Sequence, residues 1–372
     1  MLFQVNMIYL DHNATTTTHP QVREMMQELM QRPFNASSVH TAGREAKSII
    51  EHARSRIANL LNIDKKEQEY QIIFTSTGTE ANNMLISSFK DADIFVSSIE
   101  HQSILALKDY FPNIRVVKVE SNGLIDLEDL ERLLSESKND VKLVSVMLAN
   151  NETGIIQPLK NIVEIAKKFK AFVHSDIVQV VGKIKVDIAE LGIDFATISG
   201  HKFGGGFGAA ALVARTSVKI LPLIIGGGQE KGMRSGSENV PAIAAMGLAA
   251  EIAANELDER HVKMKLLQER LESNLKHAKI IGKELPRLPN TSLIIGDTVR
   301  DAMMQVIAFD LQGIAVSSGA ACSSGKVGKS HVLKAMGMSD EQAGSAIRVS
   351  LSYNNSFEDV GKFIDVFKQI NN

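Results

Sequence analysis

With 372 residues, 44% of them hydrophobic and 23% charged, the chain has the composition of a globular protein and the length for a large core in two domains. A formal net charge of -2 gives no basis for nucleic acid or a membrane surface as partner, and no apolar run approaches the ~20 residues of a membrane span. The single cysteine, Cys322, excludes an intrachain disulfide and a multi-cysteine zinc or iron–sulfur centre. A reducing, cytoplasmic setting is therefore expected, with no metal site and at most transient contact between Cys322 and a cluster.

The first six residues lack the basic start of a secretory signal, and Met7, beside the first strand-like run, is a candidate start. From there apolar runs alternate with helical spacing. Tyr70 to Phe74 reads as a strand, then Thr75-Ser76-Thr77-Gly78-Thr79-Glu80 leads into a helix from Ala81 to Phe89. Ile94 to Ser97, Val141 to Met147, Ala171 to Val173 and Phe195 to Ile198 read as further strands, with helices over Asp129 to Ser137 and Asn161 to Phe169. Such alternation implies a parallel sheet covered on both faces. The strip Gly204-Gly205-Gly206-Phe207-Gly208 leads to a last strand, Ala209 to Val213, and a long connecting helix spans Pro241 to His277. Beyond it the pattern restarts: strand Ser292 to Ile295, helix Arg300 to Asp310, strand Ile314 to Val316, helix Ser330 to Met336, strand Ala346 to Ser350, helix Ser356 to Ile370. That restart reads as a smaller α+β domain.

Several stretches carry chemistry. Ser199-Gly200-His201-Lys202 ends a strand beside small residues, so Lys202 is either a solvated loop charge or a Schiff-base lysine whose small neighbours let a planar ring approach. Asp176 stands at the carboxyl end of an apolar strand, where open α/β sheets bind ligands; it either caps the next helix or pairs with a protonated pyridine nitrogen. Thr77-Gly78-Thr79-Glu80, between a strand and a helix, suits a bound phosphate as well as a simple cap. Two nucleotide motifs fail. Gly328-Lys329-Ser330 has Ser323 where a Walker loop needs its first glycine, and the glycine strip lacks the dinucleotide spacing. Cys322 lies in Val316-Ser317-Ser318-Gly319-Ala320-Ala321-Cys322-Ser323-Ser324-Gly325, a small-residue run that suits a mobile loop better than a core, which makes reactivity its better explanation.

Together these stretches resemble the cysteine desulfurases of the NifS/IscS-like type, in the class V aminotransferase group of fold-type I pyridoxal-phosphate enzymes. The likeness runs from Tyr9-Leu10-Asp11-His12-Asn13-Ala14-Thr15-Thr16 through Asn35-Ala36-Ser37-Ser38-Val39-His40, Glu100-His101, Asn150-Asn151-Glu152-Thr153-Gly154 and Gly232-Met233-Arg234-Ser235-Gly236-Ser237 to Arg348. It implies an α/β large domain with a mainly parallel seven-stranded sheet over residues 15–255. Residues 1–14 and 256–372 would form the smaller α+β domain, with a cysteine loop at about 317–330. The resemblance makes Lys202 the anchor of pyridoxal 5′-phosphate, with Asp176 facing its ring nitrogen, Gln179 and Asn151 its phenolic oxygen and His101 stacked on the ring. Gly78, Thr79, Ser199 and His201 would hold the phosphate, and Ser237 would complete that site from the other subunit of a homodimer. Arg348, with Asn13, would clamp the substrate carboxylate through the guanidinium fork. His101 is expected to take the proton of the substrate thiol.

The implied activity is removal of sulfur from L-cysteine, giving L-alanine and a persulfide on Cys322, with delivery to an acceptor protein such as an iron–sulfur scaffold or a tRNA-thiolation enzyme. The rival readings are a selenocysteine lyase, a class V aminotransferase, which has no need of Cys322, and a non-catalytic sulfur-transfer platform. Three departures stand out: bulky Ile177-Val178 between the ring residues, Ser237 in place of threonine, and Phe203-Gly204-Gly205-Gly206-Phe207 in place of Tyr-Gly-Pro-Lys-Gly. The last is expected to loosen its loop, and the short C-terminus puts contact with an iron–sulfur scaffold in doubt.

Overall fold

A computed structural model describes residues 7–63, 69–319 and 329–371. In chain order the first part runs β1 (Ile8–Tyr9), α1 (Pro20–Leu29), α2 (Thr41–Leu60), β2 (Tyr70–Thr75), α3 (Gly78–Ser88), β3 (Asp93–Ser97), α4 (Gln102–Leu105) and β4 (Ile114–Val117). It continues through α5 (Leu127–Glu136), β5 (Lys142–Ser145), α6 (Leu159–Lys168), β6 (Phe172–Asp176), α7 (Ile188–Leu191), β7 (Phe195–Ser199), β8 (Ala210–Arg215) and α8 (Val240–Asn255). Then come α9 (Leu257–Ser273), β9 (Lys279–Ile280), β10 (Thr291–Ile295), α10 (Ala302–Leu311), β11 (Ile314–Ala315), β12 (Ser317–Ser318), α11 (His331–Ala335), α12 (Asp340–Ser345), β13 (Ile347–Ser350) and α13 (Phe357–Asn371).

Seven strands form one sheet in the order β2-β8-β7-β6-β5-β3-β4, with only β8 running against the rest. Strand period two splits its side chains between two cores. Ile72, Phe74, Ala211 and Val213 join α2 and α8 on one face, while Ile73, Leu212 and Ala214 join α3 on the other. Apolar groups on both faces explain why these strands read as continuous hydrophobic runs. A second, antiparallel sheet, β12-β13-β10-β9, also has a core on each face. The N-terminal segment bridges the two. Ile8 and Tyr9 pair with β11, Asp11 bridges to Ser350, and the Thr16 and His19 N–H groups donate to the carbonyls of His201 and Gly204.

Helices α1 and α2 and strand β4 add to the expected elements, and α3 begins three residues sooner, at Gly78. The single helix over Pro241 to His277 is corrected: α8 and α9 meet at Glu256 with a bend of 75°. No proline or glycine marks the break. Apolar α8 is buried in the large core, whereas Leu267 and Leu271 of α9 enter the core of the small sheet, so packing on two bodies imposes the turn.

The glycine strip is also corrected, since it is packed rather than loose. Gly204 and Gly206 take φ of +94° and +69°, open to glycine at little cost, and a Cβ on Gly205 would stand 3.0 Å from Met246 Cα and 3.1 Å from the Gly200 carbonyl oxygen. We therefore expect Gly205→Ala to lower stability by about 1–3 kcal/mol in denaturant melts, as overpacking does; no loss would mean the strip yields. His174 gives a second prediction. It is fully buried between Ser145 Oγ (2.8 Å) and Thr197 Oγ1 (3.1 Å), and burial lowers its pKa from 6.5 to about 3. The folded ring resists a proton that the unfolded chain accepts, so this contribution is intact above the unfolded value and is lost as pH falls below it. His174→Gln should flatten the decline in stability between about pH 7 and about pH 4; an unchanged slope would contradict the assignment.

Candidate active site

Every large-sheet strand that points the same way ends on one edge, and the candidate residues follow those ends. Gly78 and Thr79 follow β2, His101 follows β3, Asn151 follows β5, Asp176 ends β6, and Ser199 and Lys202 end or follow β7. The sheet thus gathers onto one rim groups scattered over more than a hundred residues.

At the start of α3 the Thr77 hydroxyl accepts from Glu80 N–H (3.1 Å), and the first helical bond is made by Ala81 to the Thr77 carbonyl (3.2 Å). The N–H groups of Gly78 and Thr79 precede that bond and lie at the positive end of an 11-residue helix. A Cβ on Gly78 would lie 3.6 Å from Ser199 Cβ and 3.5 Å from Val178 Cγ2, which sets Ser199 beside the helix start. Of the bulky pair, Ile177 is buried in the large core and Val178 lines this contact. His201 sits farther along, with Nδ1 3.2 Å from Thr15 Oγ1 and its ring stacked 5.2 Å from that of Phe207; burial and the Lys202 charge lower its pKa to about 4.

Asp176 is 8% exposed and accepts from Asn82 Nδ2 (2.9 Å) and Val178 N–H (3.0 Å). Among the described residues no cation pairs with it, although a buried carboxylate is costly without a positive partner. Asn82 also donates to Ser103 Oγ (2.8 Å), whose hydroxyl lies 2.9 Å from His101 Nδ1. Asp176, Asn82, Ser103 and His101 therefore form one chain, and sequence reasoning missed its two middle members.

This chain fixes the orientation of the His101 ring. Its Nδ1 accepts from the Ser103 backbone N–H (3.1 Å), so the neutral ring carries its proton on Nε2. Burial lowers the His101 pKa, Asp176 raises it in part, and Lys202 and His331 lower it further. The neutral ring is thus a donor at Nε2.

Lys202 Nζ donates to the carbonyls of Asn13 (2.5 Å) and Ala14 (2.8 Å) on the N-terminal bridge. Gln179 Nε2 donates to the same Asn13 carbonyl (3.0 Å). Asn151 lies in a turn built by Asn150, whose Oδ1 accepts from the N–H groups of Glu152 and Thr153, both at 2.9 Å. The Asn151 carbonyl accepts from Arg348 Nη1 (3.0 Å) and Asn13 Nδ2 (3.2 Å), which brings the two expected carboxylate ligands together. Arg348 is 1% exposed, and its other arm pairs with Asp11 Oδ1 at 2.6 Å.

Two buried acids adjoin the site. Glu100 accepts from Met147 N–H (2.8 Å), and burial, reinforced by Asp176, pushes its pKa well up. Glu152 accepts from Ser330 Oγ (2.5 Å), and burial pushes its pKa up to about 7. Ser237 is exposed, on a loop pinned to α3 by Arg234, whose Nε donates to Glu80 Oε1 (2.8 Å). Cys322, and residues 320–328 of its expected loop, lie outside the described residues.

The chain is similar to known proteins over nearly its whole length. Residues 8–363 match the family Aminotransferase class-V. The chain is 37% identical to cysteine desulfurase IscS of Dictyoglomus turgidum, over 98% of this chain and 94% of that one. It is 38% identical to cysteine desulfurase IscS 1 of Archaeoglobus fulgidus, over 97% and 96%. The structure of a NifS-like protein from Rickettsia africae superposes with a TM-score of 0.93 at 48% identity, over 98% of this chain and 99% of that one. The likeness thus covers both sheets and every strand end that carries a candidate residue, and the chain belongs to the class-V aminotransferase family.

Proposed function

We propose that the protein is a cysteine desulfurase that holds pyridoxal 5′-phosphate on Lys202 and passes the sulfur of L-cysteine to Cys322, leaving L-alanine. The observation that carries this reading is the strand-end rim, where the buried Asp176 carboxylate has no cation paired with it among the described residues, and where both Asp176 and Lys202 act electrostatically on His101. Near-full-length relatives named cysteine desulfurase support it.

The residues present fit the cofactor. Asp176 would hold a proton on the ring nitrogen, gaining the positive partner that its buried position lacks. The N–H groups of Gly78 and Thr79, without a partner among the described residues and with Ser199 beside them, suit a phosphate, and His201 would add its ring. Gln179 and Asn151 would face the phenolic oxygen, and His101 the ring. The bound cofactor supplies an electron sink for the pair left when the substrate's α proton departs.

Arg348 and Asn13 would orient the substrate carboxylate. Lys202 would take the α proton at Nζ, for which its amine must be neutral. The Cys322 thiolate would then attack the substrate sulfur. A sulfur–sulfur bond forms as the carbon–sulfur bond breaks, the bonding pair stays with carbon, and protonation yields alanine. Cysteine and a thiol thus become alanine and a persulfide with no outside oxidant. His101, protonated at Nε2, would give a proton rather than take one.

On the same reading residues 15–255 form the cofactor domain, and 1–14 with 256–372 the smaller one. The protein would be a homodimer in which Ser237 of one protomer reaches the phosphate site of the other. Exposed Leu223, Ile224 and Ile225 on the approach to that loop favour such a contact. A cytoplasmic setting and a sulfur-acceptor protein complete the proposal.

Two variants separate this reading from a transaminase. Cys322→Ala should still bind cofactor and change its visible absorbance on adding L-cysteine, while alanine formation falls about a hundredfold or more. An unchanged rate would defeat the role of Cys322. Lys202→Ala should lose alanine formation by roughly a thousandfold, the scale of a general base, in assays with cofactor in excess. Activity close to that of the parent would place the base elsewhere.

A further inference from the structure

Lys183 is 6% exposed, yet among the described residues no carboxylate pairs with it. Its amine donates to two neutral amide oxygens instead, Asn13 Oδ1 at 2.7 Å and Gln179 Oε1 at 3.1 Å. The charges facing it are Lys202 and Arg348, and the nearby His12 ring is neutral, with a pKa lowered to about 4 by burial and then by Lys183. Burial, with repulsion from Lys202 and Arg348, holds the Lys183 pKa well below the usual lysine range. A buried amine without an anionic partner destabilises the fold, so its retention calls for a local task.

The hydrogen bonds identify that task. An amide oxygen tied to an amine leaves only the NH2 end to point the other way. Gln179 Nε2 accordingly donates to the Asn13 carbonyl (3.0 Å), and Asn13 Nδ2 donates to the Asn151 carbonyl (3.2 Å) and Thr291 Oγ1 (2.9 Å). Asn290 Nδ2 donates to the same Asn13 oxygen (3.1 Å), whereas the Gln179 oxygen relies on Lys183. Without Lys183 the Gln179 amide could turn by half a rotation at little steric cost.

We infer that Lys183 is a positioning residue that fixes the Gln179 amide so that it offers N–H, not C=O, to the site. The inference rests on the desulfurase reading, in which Gln179 donates to the phenolic oxygen of the cofactor. A donor there favours the ionised oxygen, and an acceptor repels it. Losing the donor, or losing a neighbouring cation, pushes the pH midpoint of the bound cofactor's visible band in the same direction, upward.

The test is a pH titration of that band in the full-length, cofactor-loaded protein, beside denaturant melts that record stability separately. Lys183→Met should raise the midpoint by about one unit, Lys183→Arg should stay near the parent, and Lys183→Met should add nothing in a Gln179→Leu background. An unchanged midpoint in Lys183→Met overturns the inference, as does an equal further shift in the Gln179→Leu background. If Lys183→Met does not fold, Lys183→Gln is read by the same outcomes. Failure of the parent protein to take up pyridoxal phosphate would instead sink the desulfurase reading, before any variant is compared.

Discussion

The site depends on one constraint, a carboxylate buried at the end of a central strand. Asp176 receives two hydrogen bonds from neutral donors and, among the described residues, has no cation beside it. Hydrogen bonds ease the cost of burying a charge but do not remove it. Such a position is worth keeping only where a positive partner arrives with a ligand. The neighbouring elements follow from that demand. Helix α3 contributes Asn82 to hold the carboxylate and the first N–H groups of the helix at its start, and the Ser103 step carries the same order to His101.

A second constraint is the N-terminal bridge. Asn13 takes part in contacts with Lys183, Gln179, Lys202, Asn151, Asn290 and Thr291, so one residue links the large sheet's rim to the small sheet. Arg348 reaches the same Asn151 carbonyl from β13 and is held by Asp11 on the bridge. The proposed substrate end of the site is therefore assembled from both sheets, and displacement of the bridge would disturb the proposed cofactor anchor and carboxylate clamp together.

Much of this was legible in the chain because the signals are local. Strands β2, β3, β6 and β7 are short apolar runs, and Asp176, Lys202 and the Thr77-Gly78-Thr79 turn sit directly at their ends. What the sequence hid depends on distant partners. Asn82 meets Asp176 across 94 positions and Lys183 meets Asn13 across 170, and neither spacing carries a pattern. The α8–α9 break lacks proline or glycine and comes from two cores pulling on one apolar-to-polar stretch. The glycine strip looked loose because lost proline is visible in sequence, whereas the close approach of Met246 is not. The donor tautomer of His101 likewise needs the position of the Ser103 N–H.

This rim, once loaded, is proposed to remove sulfur from L-cysteine. The most direct measurement adds L-cysteine and a reductant to the purified protein reconstituted with pyridoxal 5′-phosphate, and quantifies alanine and sulfide together. The protein should be yellow and form the two in equal amounts over many turnovers. A protein that stays colourless with added cofactor, or one that yields a keto acid in place of alanine and sulfide, would contradict the proposal.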